Sequence, residues 1–250
     1  MMRADDVHRA WRELPELTLR GVCGAGDPLV LAPHPDDESL GCGGLIARAM
    51  ASGRAPLVVV LTDGAGSHPG SATHPAARLR TLREAETLDA VRQLGLPPER
   101  VAFLREPDTR APRDGPALDA VAARLCALIA RHRCTALLAS WEHDPHCDHL
   151  AAHRAARLVA ARAGVPHWSY PVWGWTLADD HALPDAPVAG GRLDVGAHHD
   201  AKRRAVAAHR SQHGLVVRDD PGGFVLPRAL LHHFQGPWEV FLQPSPEPAA

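Results

Sequence analysis

The chain is 250 residues long, 45% hydrophobic and 22% charged, which suits one α/β domain with a sizeable core and argues against disorder. Its 27 basic and 29 acidic residues leave a formal net charge of -2, which gives no footing for nucleic acid or an anionic membrane as the main partner. The five cysteines form no Cys-x-x-Cys pair, the start lacks a signal-peptide layout and no apolar run approaches the roughly 20 residues of a membrane span, so a reduced, cytoplasmic protein is expected.

Residues 1–27 read as an N-terminal lead-in. The first buried strand is expected over residues 28–32, followed by the loop Pro33-His34-Pro35-Asp36-Asp37-Glu38. Ser39 is the expected N-cap of a helix running to about Ser52, and Gly41, Gly43 and Gly44 inside it suit close packing of helix on sheet. A second strand follows over 57–61, closed by Asp63-Gly64, then a segment of loop composition over 65–75 and a helix over 76–95. A third strand is expected over 101–104 and a third helix over 116–131. The fourth strand, 135–139, leads into a polar loop over 141–148, and a helix runs from about His149 to Gly164. A fifth strand is expected over 167–173.

This alternation of short, unbroken apolar strands with helices predicts a Rossmann-like α/β fold: an open, mostly parallel sheet with helices on both faces over residues 28–175. After Trp175 the rhythm breaks. A Pro-, Asp- and Ala-rich stretch over 176–191 precedes a short strand near Leu193-Val195, a helix over 197–212 and a tail punctuated by Gly and Pro. Residues 176–250 thus read as a smaller C-terminal α+β extension of a single domain, frayed beyond Gln243.

Two polar loops stand out because each follows an expected strand, and in open α/β sheets sites form beyond the carboxyl ends of strands. The first offers His34, Asp36, Asp37 and Glu38; the second offers His143, Asp144, His146, Asp148 and His149, with His153 one helical turn on. Imidazole with carboxylate is the donor set of catalytic zinc. Adjacent Asp36 and Asp37 cannot point the same way, so one is expected to bind metal while the other faces water. Each loop alone has a plainer reading: acidic residues suit the positive end of a helix, and His149 with His153 fits two surface histidines. Together at strand ends, so many ionisable groups call for a metal or mutual pairing.

At these residues the chain resembles the PIG-L/LmbE-like zinc-dependent N-deacetylases. Ala32-Pro33-His34-Pro35-Asp36-Asp37-Glu38 looks like that family's first motif, and His146-Cys147-Asp148-His149 is similar to its second, usually His-Pro-Asp-His. Weaker matches are Arg83-x-x-Glu86 with Ala90 and Leu94-Gly95, Asp108 after the third strand, and Lys202 through His209-Arg210-Ser211-Gln212. The resemblance implies that His34, Asp37 and His149 hold Zn2+, or Fe2+, with Asp36 as general base. It implies further that His146, oriented by Asp148, is the cationic partner, and that Arg83 and Asp108 contact sugar hydroxyls. Arg83 has a plainer reading as the helix partner of Glu84 or Glu86.

The activity so implied is hydrolytic removal of an N-acetyl or other N-acyl group from a GlcNAc-like amino sugar or glycosylated small molecule. The alternatives are an amidase on a sugar-thiol conjugate or antibiotic precursor, or a non-catalytic metal- or nucleotide-binding α/β module. The first strand is not followed by Gly-x-Gly-x-x-Gly, which disfavours the nucleotide reading. The partner is a small N-acylated molecule, with a homo-oligomer among the expectations. Departures from the family pattern are Cys147 in place of Pro, a small tolerated residue rather than a ligand, and Asp144 where some members carry Tyr. Tyr170 has no place assigned by sequence; Trp168, Trp173 and Trp175 read as core or as a platform for a sugar; His68 and His74 read as solvated or lining an entrance.

Overall fold

The unbroken apolar runs become strands covered on both faces. In a computed structural model, which describes residues 2–183 and 189–244, β1 (Met2–Arg3), α1 (Ala4–Glu13), β2 (Glu16–Leu17) and α2 (Leu19–Cys23) precede β3 (Pro28–Ala32) and α3 (Asp37–Ala51). Then come β4 (Leu57–Thr62), α4 (Ala76–Gln93), β5 (Val101–Glu106), α5 (Gly115–His132), β6 (Ala136–Ser140), α6 (Cys147–Ala163) and β7 (His167–Tyr170). The remainder holds β8 (Ala182–Leu183), β9 (Gly190–Asp194), α7 (His199–Ala208), α8 (Arg228–His233) and β10 (Trp238–Leu242), with 3-10 turns at Trp173–Thr176 and Arg210–His213.

The main sheet has eight strands in the order β2-β9-β10-β7-β6-β3-β4-β5. From β7 to β5 every pairing is parallel, β10 is antiparallel to both β7 and β9, and β2 runs parallel to β9. Alternate side chains of the central strands feed opposite layers, as the strand period of two requires. Leu29, Leu31, Val59 and Leu137 pack with α5 and α6 residues such as Leu125 and Ala155, while Val30, Ala32 and Val60 pack with Leu45 of α3 and Ala90 of α4. Almost all of α3 is buried, and its glycines permit that. A Cβ on Gly41 would lie 2.2 Å from the ring of Tyr170, and one on Gly44 would lie 2.5 Å from Val195. Tyr170 is therefore a core residue, its hydroxyl donating to the Leu31 carbonyl at 2.8 Å.

The structure departs from the sequence reading at the ends of elements. Helix α3 begins at Asp37 with Asp36 in the cap position, not Ser39; the Ser39 hydroxyl donates instead to Glu38. Helix α6 begins at Cys147, capped by His146. Strand β7 stops at Tyr170 because Pro171 has no N–H to offer and the next N–H groups turn to Asp144. The helix expected over 197–212 covers only His199–Ala208, and the break turns the buried His209 ring onto Glu38 at 3.0 Å. The lead-in holds a helix whose Ala4, Val7 and Trp11 are buried at helical spacing, and the tail holds α8 and the sheet strand β10. Residues 184–188 of the expected loop, and the tail beyond residue 244, lie outside the described residues. No helix among the described residues is long and apolar enough to cross a membrane.

From β3 the chain steps to β4 on one side and returns through β6 on the other. The loops after β3 and β6 therefore emerge side by side at the carboxyl ends of adjacent strands, where the direction of winding reverses. This crevice is the general location of ligand sites in such sheets.

Candidate metal centre

Pro33 and Pro35 bracket His34 and hold the loop after β3 extended. Asp36 then takes φ 136°, a left-handed conformation that a non-glycine residue adopts only under constraint from its surroundings. This turn separates the two aspartates. Asp37 Oδ2 accepts from the backbone N–H of His34 at 2.9 Å and lies 3.2 Å from His34 Nδ1. Asp36 points elsewhere, its carboxylate 3.4 Å from the Arg83 guanidinium.

The first turn of α6 brings in the second motif. His149 Nε2 lies 3.2 Å from the same Asp37 Oδ2, and its Nδ1 is 2.8 Å from Asp144 Oδ2. Asp144 also accepts from the backbone N–H groups of Val172, Trp173 and Gly174, so one buried carboxylate orients the His149 ring and clasps the turn after β7. His34 Nε2 lies 3.1 Å from Asp148 and 3.4 Å from Asp108. The His146 ring stands edge-on to His34, centroids 4.6 Å apart, and 5.4 Å from His149.

These residues fit a divalent cation. Apart from its approach to Asp37 Oδ2, His149 Nε2 is buried with no hydrogen-bond partner, while its other nitrogen meets a carboxylate, the arrangement that fixes the tautomer of a metal-binding histidine. One Asp37 oxygen stands between nitrogens of His34 and His149. Nitrogens of His34, His146 and His149 also lie within 4.8 Å of one another, so distance alone admits His146 beside the expected His34, Asp37 and His149.

Charge is strongly coupled here. Burial works against charge on His149, yet Asp37 and Asp144 raise its pKa to about 9, and His34 is likewise lifted well above its ordinary value by Asp108, Asp148 and Asp37. Despite its burial, Asp37 is held well below the ordinary carboxylate range by those two imidazoles. Asp36 goes the other way. Burial, only partly offset by Arg83 and reinforced by Asp37, pushes its carboxyl up to about 7, where a general base works near neutral pH.

His146 and Asp148 differ from the expectation. The Asp148 carboxylate does not accept from the His146 ring; it accepts from the backbone N–H groups of Thr109 and Ala111 at 2.7 and 3.1 Å. His146 Nδ1 instead accepts from the backbone N–H of Asp148 at 3.2 Å. Burial, with His34 and His149, pushes the His146 imidazole down to about 4 rather than favouring its charged form. With Nδ1 accepting from the backbone, the neutral His146 ring carries its proton on Nε2.

The centre opens into a cavity of about 220 Å³. His34, Asp36, Arg83, Asp108 and His146 line its polar side, and Leu40, Trp173, Phe224 and Leu226 its apolar side. Arg83 pairs with neither Glu84 nor Glu86; it donates to the carbonyls of Pro35 and Gly64 at 2.7 and 2.9 Å, tying α4 to the loops after β3 and β4. Gly64 has to be glycine, with φ +62° and a Cβ position 2.8 Å from Arg83. Asp108 accepts from the Gly66 N–H at 2.8 Å. Phe224 and Leu226 arrive on a strap bound to the loop after β4: Asp219 accepts from Ser71 and Thr73, Asp220 from Gly70, and the Phe224 N–H donates to Ser67.

Sequence reasoning gave Asp144 no role, although it stands in the polar loop five residues before His149. It named Glu38 in the first loop but gave it no role; the buried carboxylate accepts from the Asp36 N–H and from His209. Nothing local marks Phe224 or Leu226. His68 and His153 are buried, His68 so tightly that a Cβ on Gly223 would lie 2.2 Å from its ring. Of the tryptophans, Trp173 lines the cavity, against Phe224 at 5.7 Å, whereas Trp168 and Trp175 do not.

The sequence model of the PIG-L family, described as GlcNAc-PI de-N-acetylase, matches residues 29–160, which span both motifs. The 2'-N-acetylparomamine deacetylase of Streptomyces fradiae is 32% identical over 163 residues, 61% of this chain; the match spans only 58% of that relative's length. The 1D-myo-inositol 2-acetamido-2-deoxy-alpha-D-glucopyranoside deacetylase of Mycobacteroides abscessus is 28% identical across 82% of this chain and 90% of its own. Among solved structures, a conserved protein of Thermus thermophilus superposes with a TM-score of 0.62 at 29% identity, covering 90% of this chain and 97% of that one.

Proposed function

The chain belongs to the PIG-L family, and on that footing we propose that it is a metal-dependent hydrolase that removes an N-acetyl or other N-acyl group from an amino sugar or glycosylated small molecule. The observation that carries this reading is the Asp37 oxygen 3.2 Å from nitrogens of both His34 and His149, beside a separate aspartate, Asp36, with its pKa raised to about 7. His34, Asp37 and His149 would hold the ion, Zn2+ by the donor set and Fe2+ as the alternative. A divalent cation bound there supplies Lewis acidity, polarising an amide carbonyl and making a water molecule easier to deprotonate.

Asp36 takes a proton from the water that attacks the carbonyl carbon. His146, on the cavity wall, donates to the oxygen on which negative charge develops. The C–N bond then breaks as the nitrogen takes up the proton held by Asp36, and the products are a free amine and a carboxylic acid. Arg83 holds Asp36 in place through the Pro35 carbonyl and its own contact with the carboxylate, and Asp108 accepts from a substrate hydroxyl. Relatives named for N-acetylparomamine and an acetamido-glucopyranoside support the sugar part of this reading. The apolar wall of Trp173, Phe224 and Leu226 suits the acyl group or an apolar aglycone.

The test is an acetate- and amine-release screen of the metal-loaded protein across N-acetylated amino sugars, sugar-thiol conjugates and glycosylated metabolites, including longer acyl chains. Release from at least one class, abolished by Asp36→Ala with metal content unchanged, is the expected result. Release that survives Asp36→Ala removes the general base from the reading, and no release from any class removes the reading itself.

A further inference from the structure

A second cavity, of about 260 Å³, shares no lining residue with the first. Trp11 and Arg12 come from α1, Trp175 from the turn after β7, Arg192 from β9, His233 from α8 and Trp238 from β10. Its walls are flat rings. Trp11 meets Trp175 edge to face at 4.8 Å, His233 lies nearly parallel to Trp175 at 5.3 Å and 13°, and the Arg192 guanidinium lies 4.7 Å over the ring of Trp238.

Its charge is one-sided. The chain as a whole is slightly acidic, at -2, yet no carboxylate is among the residues lining this cavity. Among the described residues neither Arg12 nor Arg192 has a carboxylate within ion-pair distance. Arg192 uses its Nε to donate to the Leu14 carbonyl at 2.9 Å, which leaves its terminal amino groups available. The Trp11 ring is fully buried and closes the floor of the cavity. Burial, with His8, Arg12 and His232, holds the His233 imidazole below its ordinary pKa, as expected beside uncompensated positive charge.

Guanidinium groups without a carboxylate partner call for an acceptor carrying negative charge, and a wall of aromatic rings suits a planar apolar body. Ligand cavities run from roughly 300 Å³ upward, so this one suits a single ring. We propose that the cavity is a second ligand site, for a small planar organic anion: one aromatic ring bearing a carboxylate. The ring lies among Trp175, Trp238 and His233, and the carboxylate accepts from Arg192 and Arg12.

Benzoate is the probe. Of the six tryptophans of the chain, Trp11, Trp175 and Trp238 line the cavity, so titration of the metal-loaded protein is read by tryptophan fluorescence and confirmed by calorimetry. The expected result is saturable binding of one equivalent of benzoate, with neutral benzamide and ring-less acetate each at least tenfold weaker in competition for it. Arg192→Gln and Trp238→Ala should each weaken benzoate at least tenfold. Because Arg192 also supports the Leu14 carbonyl, Arg12→Gln at the exposed end of α1 is the second charge variant and should weaken benzoate with an unchanged melting temperature. Benzamide binding as tightly as benzoate, or benzoate binding unaltered in folded Arg12→Gln and Trp238→Ala, would overturn the proposal.

Discussion

Four N–H groups from two places in the chain meet on Asp144: the His149 ring and the backbone of Val172, Trp173 and Gly174. Truncating it strands buried donors and frees the imidazole to rotate. Asp144→Ala is therefore expected to weaken metal binding by about 10- to 100-fold, measured by competition with a chromogenic chelator. Unchanged affinity would mean that the ring is oriented by something else. Asp36→Ala is expected to keep the metal and lower turnover by roughly 10²- to 10⁴-fold, the usual range for a positioned base. His146 stands close enough to act as a ligand, so His146→Ala separates two roles: a drop in turnover with metal retained assigns it to the reaction, and metal loss makes it a ligand. At this scale the sequence was informative where neighbours in space are neighbours in the chain, as with His34, Asp36 and Asp37. The Asp144 clasp bridges residues 28 to 30 positions apart, and no local pattern announces it.

Among elements, α3 is the most constrained, because it is buried nearly all round and rests on β7 through Gly41. Gly41→Ala pushes a methyl into the Tyr170 ring and is expected to destabilise the fold by about 1–3 kcal/mol in a denaturant melt, against a much smaller effect of Gly236→Ala, where a Cβ meets nothing within 4 Å and the backbone is outside the left-handed region. Equal losses at the two positions would show that the approach of helix to sheet is looser than described. The strap over the cavity depends on exposed hydrogen bonds to Asp219 and Asp220, so Asp219→Ala is expected to raise KM more than it lowers kcat; a pure kcat effect would place the strap's influence elsewhere. The central strands were legible because covering both faces demands uninterrupted apolar runs. The start of α3 was misplaced because site geometry, not capping propensity, fixes Asp36. Strand β10 was missed because its Trp238–Leu242 run follows Gly236-Pro237 in a stretch dominated by turn residues, and its partners β7 and β9 are distant in sequence. Helix α1 did carry a helical burial pattern, at Ala4, Val7 and Trp11, short enough to pass for a lead-in.

Over the whole molecule, a histidine-rich composition translates into acid sensitivity only where the rings are buried uncharged. Burial pushes His153 down to about 4 and His167 to about 3, and the two rings lie 5.4 Å apart between α6 and β7. An unfolded histidine takes up its proton near pH 6.5, so below that value the unfolded chain binds more protons than the folded one, and stability falls as pH falls toward 4. Each such ring contributes a slope of up to about 1.4 kcal/mol per pH unit in that window and none above it. Denaturant midpoints between pH 7.5 and 5 should therefore decline less steeply in His167→Leu than in the unaltered protein; identical slopes would exclude this ring as a source. The sequence carried the sheet and the crevice at its reversal point, since both follow from strand order, while the burial of these histidines depends on how α6 closes over β6 and β7. The Asp144 clasp also bears on how this protein can change over generations. One carboxylate orients a residue of the metal centre and shapes the turn bearing Trp173, so ion retention and substrate range are not free to drift separately. Selection for a wider cavity through that turn should repeatedly bring mutants that shed their ion, and lineages that escape should do so by remodelling the strap at Phe224 and Leu226 instead.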